Sequence, residues 1–154
     1  MQRIFFDELP EYLQEKSTFL TEIPIGAKDA EEFMRTIFIM WGIPYESINW
    51  NAFFDDLCDF TWMDEGISKV VMINEGIPNF INSDVYFEVL ISALYRHETY
   101  TLDGTPDYGY PELFAKFNTT DWDSYLAMAN DRTKAKVNYL LADENTRKFD
   151  KALF

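Results

Sequence analysis

The fold class is decided by the stretch Lys69-Val70-Val71-Met72-Ile73, a short apolar run rich in β-branched residues. Such runs are typical of strands that are buried on both faces within a parallel sheet. A second candidate strand at residues 18–23 and two candidate helices come before it, and another helix follows it. Strands that alternate with helices in this way predict an α/β domain built on a small parallel sheet.

The helices on either side of this strand are predicted from apolar spacing and end signals. The first begins near Asp29, has Glu32 three residues on as in a capping box, and ends at Gly42. Its apolar residues recur at i, i+3 and i+4, namely Ala30, Phe33, Met34, Ile37, Phe38 and Trp41. The helix after the strand has Ser83 as its candidate N-cap. Its buried stripe is predicted to comprise Phe87, Leu90, Ile91, Leu94 and Tyr95.

The pattern beyond residue 98 predicts a mostly helical extension or insertion. Residues 100–111 are rich in turn formers and are predicted to form a loop, and Thr120 with Asp123 indicates a further capped helix. Residues 137–141 are either a last strand or part of a helix that runs on from Asp131, because the segment is too short for its periodicity to decide. We therefore predict one domain over 1–154, with a core at 18–98, an insertion or extension at 99–136, and a last strand and C-terminal helix at 137–154.

The composition limits the class of protein. The chain has 154 residues, of which 47% are hydrophobic and 18% aromatic, so it can bury a core and does not have the composition of a disordered chain. Its one cysteine cannot form an internal disulfide, and no apolar run approaches the length of a membrane span. Acidic residues close to the N-terminus do not fit a secretory signal, so we expect a cytoplasmic protein.

The charge indicates the kind of partner. The net charge is −14, and residues 1–98 account for most of it, with 18 acids and 6 bases. Nucleic acid and anionic membranes are therefore poor partners for this part of the chain. A basic protein is a good one, because an acidic surface speeds its encounter and fixes its orientation. Solubility alone is the competing explanation of an acidic composition.

The strongest functional signal is the acidic segment Asn49-Trp50-Asn51-Ala52-Phe53-Phe54-Asp55-Asp56-Leu57-Cys58-Asp59-Phe60-Thr61-Trp62. With about 3.6 residues per turn, Asn51, Asp55 and Asp59 form one line along a helix, opposite its apolar side. Residues 36–68 carry six acids and no Lys, Arg or His. Like charges one turn apart destabilise an isolated helix by roughly a few tenths of a kcal/mol per pair. This pattern suggests that the counter-charge lies on another molecule, although an ordinary solvated helix face would look the same.

Residues 45–62 resemble the signature of the barstar-like ribonuclease inhibitors, an aromatic-bearing loop followed by Asn-x-Asp-Ala-x-x-Asp-x-Leu at the start of a helix. In this chain the motif reads Asn49-Trp50-Asn51-Ala52-Phe53-Phe54-Asp55-Asp56-Leu57. The predicted elements around it agree, and the resemblance covers about residues 18–98. It implies a three-stranded parallel sheet with packed helices, with the third strand at 137–141, no catalytic activity and no cofactor.

The resemblance also implies a site. Family members insert this loop and helix into the active-site cleft of a secreted ribonuclease, and the second Asp of the motif takes the place of a substrate phosphate. By position that residue is Asp55. Its expected contact set is Tyr45, Glu46, Asn49, Trp50, Asn51, Phe54 and Asp59. The expected partner is a basic nuclease toxin in a one-to-one heterodimer, with this chain as the immunity protein.

Two departures from the family pattern suggest a different cognate toxin. Asn51 stands where the family has its first Asp, and Tyr45-Glu46-Ser47 stands where the family loop has paired aromatics and a glycine. Glu46 and Asp59 supply carboxylates close to the charges that are lost.

Other chemistry has weaker support. Asp55, Asp56 and Asp59 can supply oxygen ligands to Mg²⁺ or Ca²⁺, so a metal-binding domain or metal-dependent enzyme is the alternative, although their spacing matches no known calcium loop. His97 is expected near a helix C-terminus in a surface or capping role. Cys58 is expected to be an inert thiol with a raised pKa. The sequence has no phosphate-binding loop and no triad, so we predict no enzyme.

Overall fold

The computed structural model describes residues 1–44, 47–60, 62–102, 111–148 and 150–153. Within them lie four strands, β1 (Ile4–Phe6), β2 (Thr18–Glu22), β3 (Lys69–Asn74) and β4 (Glu112–Phe117). The helices are α1 (Ala30–Trp41), α2 (Trp50–Cys58), α3 (Ser83–Leu102), α4 (Thr119–Met128) and α5 (Asp131–Leu141). Each described helix is too short or too polar to cross a membrane.

The strands form one parallel sheet in the order β1-β4-β3-β2. The prediction of an α/β domain on a parallel sheet is confirmed, and the prediction of three strands is wrong because the sheet has four. The strand that follows α3 is β4, which lies between β1 and β3 with Leu113 beside Val70 and Ala115 beside Ile4. The predicted loop at 100–111 falls largely outside the described residues.

The placement of a last strand at 137–141 is wrong, because these residues form the second half of α5. The helix begins after Asn130, whose side-chain oxygen accepts a hydrogen bond from the Thr133 amide at 2.8 Å. The buried positions Thr133, Lys136, Val137 and Leu140 are spaced three and four residues apart. A capped start and this spacing specify a helix, and they settle the choice that the short apolar run left open.

The two faces of the sheet are covered very differently. On one face, side chains from all the described helices join strand residues in one core rich in aromatic rings, which includes Phe33, Phe53, Phe87 and Tyr125. On the other face, a small cluster of Phe5, Leu13, Val71, Ile73 and Phe114 is covered only by the segment that links β1 to β2. Every helix therefore packs on the same side of the sheet.

Helix ends match the predicted signals in α1 and differ from them in α3 and α4. Asp29 accepts a hydrogen bond from the Glu32 amide at 2.8 Å, and Gly42 ends α1 at φ 72°. Ser83 is the first residue of α3, one position inside the predicted cap. The start of α4 is capped from outside the helix, since the Thr119 amide donates to the Asp7 carboxylate at 2.9 Å.

Candidate partner-binding helix

Residues 50–58 of the acidic segment form α2, so the helix is present as predicted but ends before the described residues 59, 60 and 62 of that segment, and each end is capped by an adjacent residue. The Asn49 side-chain oxygen accepts a hydrogen bond from the Ala52 amide at 2.8 Å, so Asn49 is the N-cap. At the other end the Asp59 amide donates to the Asp55 carbonyl at 2.9 Å. The side-chain oxygen of Asn49 is thus hydrogen-bonded within the chain. The main role of this residue is to cap the helix, and any contact with a partner is secondary.

The inward side of α2 is held by aromatic packing. Phe53 and Leu57 are fully buried against the core. The Trp50 ring meets the Phe53 ring edge to face, with centroids 5.7 Å apart, and lies 6.3 Å from Phe33 of α1. Trp50 and Phe54 are half-buried, so each presents only part of its side chain to a partner.

The outward side of α2 is polar and acidic. Asn51 and Asp55 are exposed one turn apart along α2, as predicted, whereas Asp59 is exposed just beyond the last helical residue, where the backbone is extended. Within the described part of the chain, no salt bridge involves Asp55. The two loop residues of the predicted site, Tyr45 and Glu46, lie outside the described residues. The structure therefore brings six of the eight predicted residues onto one short helix and its flanks.

Asp56 belongs to this acidic surface and was not among the predicted site residues. Burial raises its pKa to about 6, and the charges of Asp55 and Asp59 add to the increase. The sequence contained a signal, because Asp56 lies three residues after Phe53 and immediately before Leu57. That position places it at the border of the apolar face, where a carboxylate is partly desolvated. The raised pKa of Asp56 thus reflects partial desolvation first and repulsion from Asp55 and Asp59 second.

The back of α2 rests on α3 through His97. The His97 Nε2 atom donates to the Leu57 carbonyl at 2.8 Å, and its ring packs 5.8 Å from Phe60. Burial lowers the pKa of His97 to about 4, so the imidazole is neutral at physiological pH. The expectation of a surface or capping role at the end of its own helix is wrong, because α3 continues to Leu102 and the His97 side chain packs against the C-terminal end of α2.

The remaining titratable groups of α2 are a half-buried thiol and the carboxylates already described. Burial raises the pKa of Cys58 to about 12, in the direction that the sequence predicted, which keeps the thiol protonated. Among the residues that the structure describes, no three His, Cys, Asp or Glu side chains are grouped so that they could hold a metal ion. What α2 offers is a row of carboxylates on a rigid support.

Comparisons of the chain with protein-family models, with curated proteins and with solved structures find no match. The resemblance to the barstar-like inhibitors therefore rests on the motif and on the order of the elements around it.

Proposed function

We propose that this protein is an immunity protein of the barstar-like class, which binds a basic nuclease toxin and blocks its active-site cleft with α2. The observation that carries the proposal is the exposed polar surface formed by Asn51 and Asp55 of α2 and by Asp59 at its C-cap, in which Asp55 forms no salt bridge with the described residues. Asp55 is the residue that takes the place of a substrate phosphate.

The chemistry of a nuclease cleft supports this proposal. Such clefts bind phosphate through Arg, Lys and His side chains, and a carboxylate can accept the same charge-assisted hydrogen bonds. Half-buried Trp50 and Phe54 flank the acids and can exclude water from these contacts, which strengthens them. With a net charge of −14, the chain also attracts a basic partner over a distance.

The rigidity of α2 supports it further. A binding surface that is already ordered loses little conformational entropy when its partner binds. The N-cap at Asn49, the Trp50–Phe53 ring contact and the His97 hydrogen bond hold α2 before any partner arrives. The order β2-α1-α2-β3-α3 also supports the proposal, because the resemblance implies a strand and a helix before the acidic helix and a strand and a helix after it.

The test is purification of the tagged chain from its native cells at low salt, followed by a nuclease assay on what co-purifies. We expect a basic nuclease that is inactive in the complex and regains activity when high salt dissociates it, because salt screens the charge pairs. Asp55→Lys should retain the fold and lose the nuclease. Asp123→Lys, an equal change at an exposed position of α4, is the matched control and should retain it.

Two results contradict the proposal. Recovery of no nuclease at either salt concentration would leave α2 as a solvated surface. Equal recovery by Asp55→Lys and Asp123→Lys would show that the nuclease binds elsewhere on the chain.

A further inference from the structure

The sheet face opposite the helices contains a groove at the carboxyl ends of the strands. Its volume is about 590 Å³. The apolar floor is formed by Leu9, Leu20 and Ile73. Leu20 is 50% exposed, although it lies in a strand, because the segment that links β1 to β2 covers only part of this face. Ligands of open parallel sheets commonly bind at this end of the strands.

The rim of the groove is acidic. Glu8, Glu22 and Glu75 line it, together with one base, Lys116. The Lys116 ammonium lies 3.5 Å from the Glu75 carboxylate, so one acid is paired and the rim keeps an excess of negative charge. A partner that enters this groove should therefore carry positive charge.

The groove is bordered by the free edge of the sheet. Among the residues that the structure describes, β2 is an outermost strand and pairs with β3 alone. The Ile23 amide donates to the Ile73 carbonyl at 3.1 Å, and the Lys69 amide donates to the Ser17 carbonyl at 3.2 Å. Since backbone groups alternate in direction along a strand, those of Leu20 and Glu22 point away from β3. The same two residues line the groove with their side chains.

We propose that this groove is a second docking surface, where an extended basic segment of a partner protein adds to the sheet as a strand beside β2. Backbone hydrogen bonds to Leu20 and Glu22 provide the pairing, and apolar side chains of the segment cover Leu20. Its basic side chains reach Glu22 and Glu75. A second copy of this chain is the wrong occupant, because it would bring another charge of −14 to an acidic edge.

This surface is independent of α2. The helix packs on the opposite face of the sheet, where its Phe53 belongs to the aromatic core. Substitutions at the two surfaces can therefore be tested separately, and failure of one proposal leaves the other standing.

The test is an NMR titration of the isotope-labelled full chain with a short synthetic peptide of alternating lysine and valine. We expect amide shifts at residues 19–23 and 73–75. The same peptide, N-methylated at alternate residues, keeps the charge but cannot pair as a strand, and it should bind at least about tenfold more weakly. Glu22→Lys should weaken binding of the unmodified peptide by a similar factor.

Matched variants make the result specific. Glu88→Lys, the same change at an exposed position of α3, should bind the peptide like the wild type. Asp55→Lys should also bind it normally, since α2 takes no part. Glu22→Gln removes the charge without reversing it. If Glu22→Lys disturbs β2, this milder variant should still show weaker binding of the peptide.

Three results would overturn the proposal. Shifts confined to α2, or equal affinity for the methylated peptide, would mean general attraction to an acidic chain. Equal weakening by Asp55→Lys and Glu22→Lys would mean the same. Concentration-dependent shifts along β2 without peptide, with a dimer in sedimentation, would show that a second copy occupies this edge.

Discussion

Two carboxylates of this chain lie in opposite electrostatic surroundings. Glu98 of α3 is 5% exposed, and its oxygens contact the Arg3 guanidinium at 3.2 Å, the Met1 amino group at 2.6 Å and the Arg147 guanidinium. Asp55 of α2 is exposed, and its charge and that of Asp59 raise the pKa of Asp56, while the Arg96 charge acts in the opposite direction on the neighbouring Cys58. Glu98 is therefore buried in a cluster of bases, whereas Asp55 is exposed beside other acids.

The difference separates structural acids from acids that are available to a partner. Burying a carboxylate is costly unless hydrogen bonds and opposite charges replace water, and Glu98 has both within the chain. Asp55 remains hydrated, and its acidic neighbours make the arrival of a positive charge favourable. The count of 27 acids in the sequence carries little functional information. Their arrangement carries much more.

The largest expected effect is at Glu98. Glu98→Gln leaves the Arg147 guanidinium without this carboxylate, and it leaves the Arg3 guanidinium, which is 1% exposed, with only the more exposed Glu112 carboxylate at 3.2 Å. Loss of one partner from a buried ion pair costs about 3–5 kcal/mol in the free energy of unfolding. Urea unfolding followed by far-UV circular dichroism measures it.

The matched control is Asp123→Asn at an exposed position of α4. It should change the free energy of unfolding by less than about 0.5 kcal/mol. If both variants lose equally little free energy of unfolding, the ion pairs around Glu98 do not stabilise the fold. The contrast between Glu98 and Asp55 would then be wrong.

An intermediate effect on the free energy of unfolding is expected when the pH is changed. Protonation of Asp56 favours the folded state, whereas protonation of His97 favours the unfolded state. The pKa of Asp56 is raised from 3.8 to about 6, so the folded state binds its proton more tightly and gains stability as pH falls from about 6 to about 4. The pKa of His97 is lowered from 6.5 to about 4, so stability falls over nearly the same interval, because the unfolded chain takes up the proton first.

Variants at Asp56 and at His97 should each show the pH dependence of stability that the replaced group normally offsets. Asp56→Asn removes the desolvated charge and should be more stable than the wild type at pH 8 by about 1 kcal/mol, after allowance for its partial exposure, with the gain vanishing near pH 4. His97→Gln should lose less stability than the wild type between pH 6.5 and 4. Urea unfolding at a series of pH values measures both. Identical pH profiles for all three proteins would contradict the opposing titrations.

The parts of the fold that could be predicted from the sequence are those with local signals. β2, β3 and α1 were predicted because their apolar patterns and caps are contiguous in the chain. β1 has only three residues and gains its place by pairing with β4 about a hundred residues later. β4 follows a segment dense in turn formers, which hid a run whose Leu113, Phe114, Ala115 and Phe117 are all buried. Such pairings are set by tertiary structure, which local patterns do not report.

The same limit applies to the site. Exposure of Asn51 and Asp55 follows from helical spacing alone, whereas Asp59 lies beyond the end of α2 in extended backbone. The half-burial of Trp50 depends on Phe33 and Phe80, which belong to distant segments. Glu98 was overlooked, although it lies four residues after Leu94 in the predicted buried stripe of α3. A carboxylate at such a position indicates a buried acid that requires a base.

The smallest expected effect tests whether the acids of α2 act on one another. Asp55→Asn removes one of the charges that raise the pKa of Asp56, so that pKa should move back toward its ordinary value. Less repulsion should also raise the free energy of unfolding by roughly a few tenths of a kcal/mol. An NMR titration of the Asp56 carboxyl carbon measures the shift, with Asp123→Asn as the control. An unchanged Asp56 pKa would mean that solvent screens the Asp55 charge completely. The proposal that α2 is a binding surface would then depend on the hydrogen bonds that its carboxylates can accept, and no longer on their combined charge.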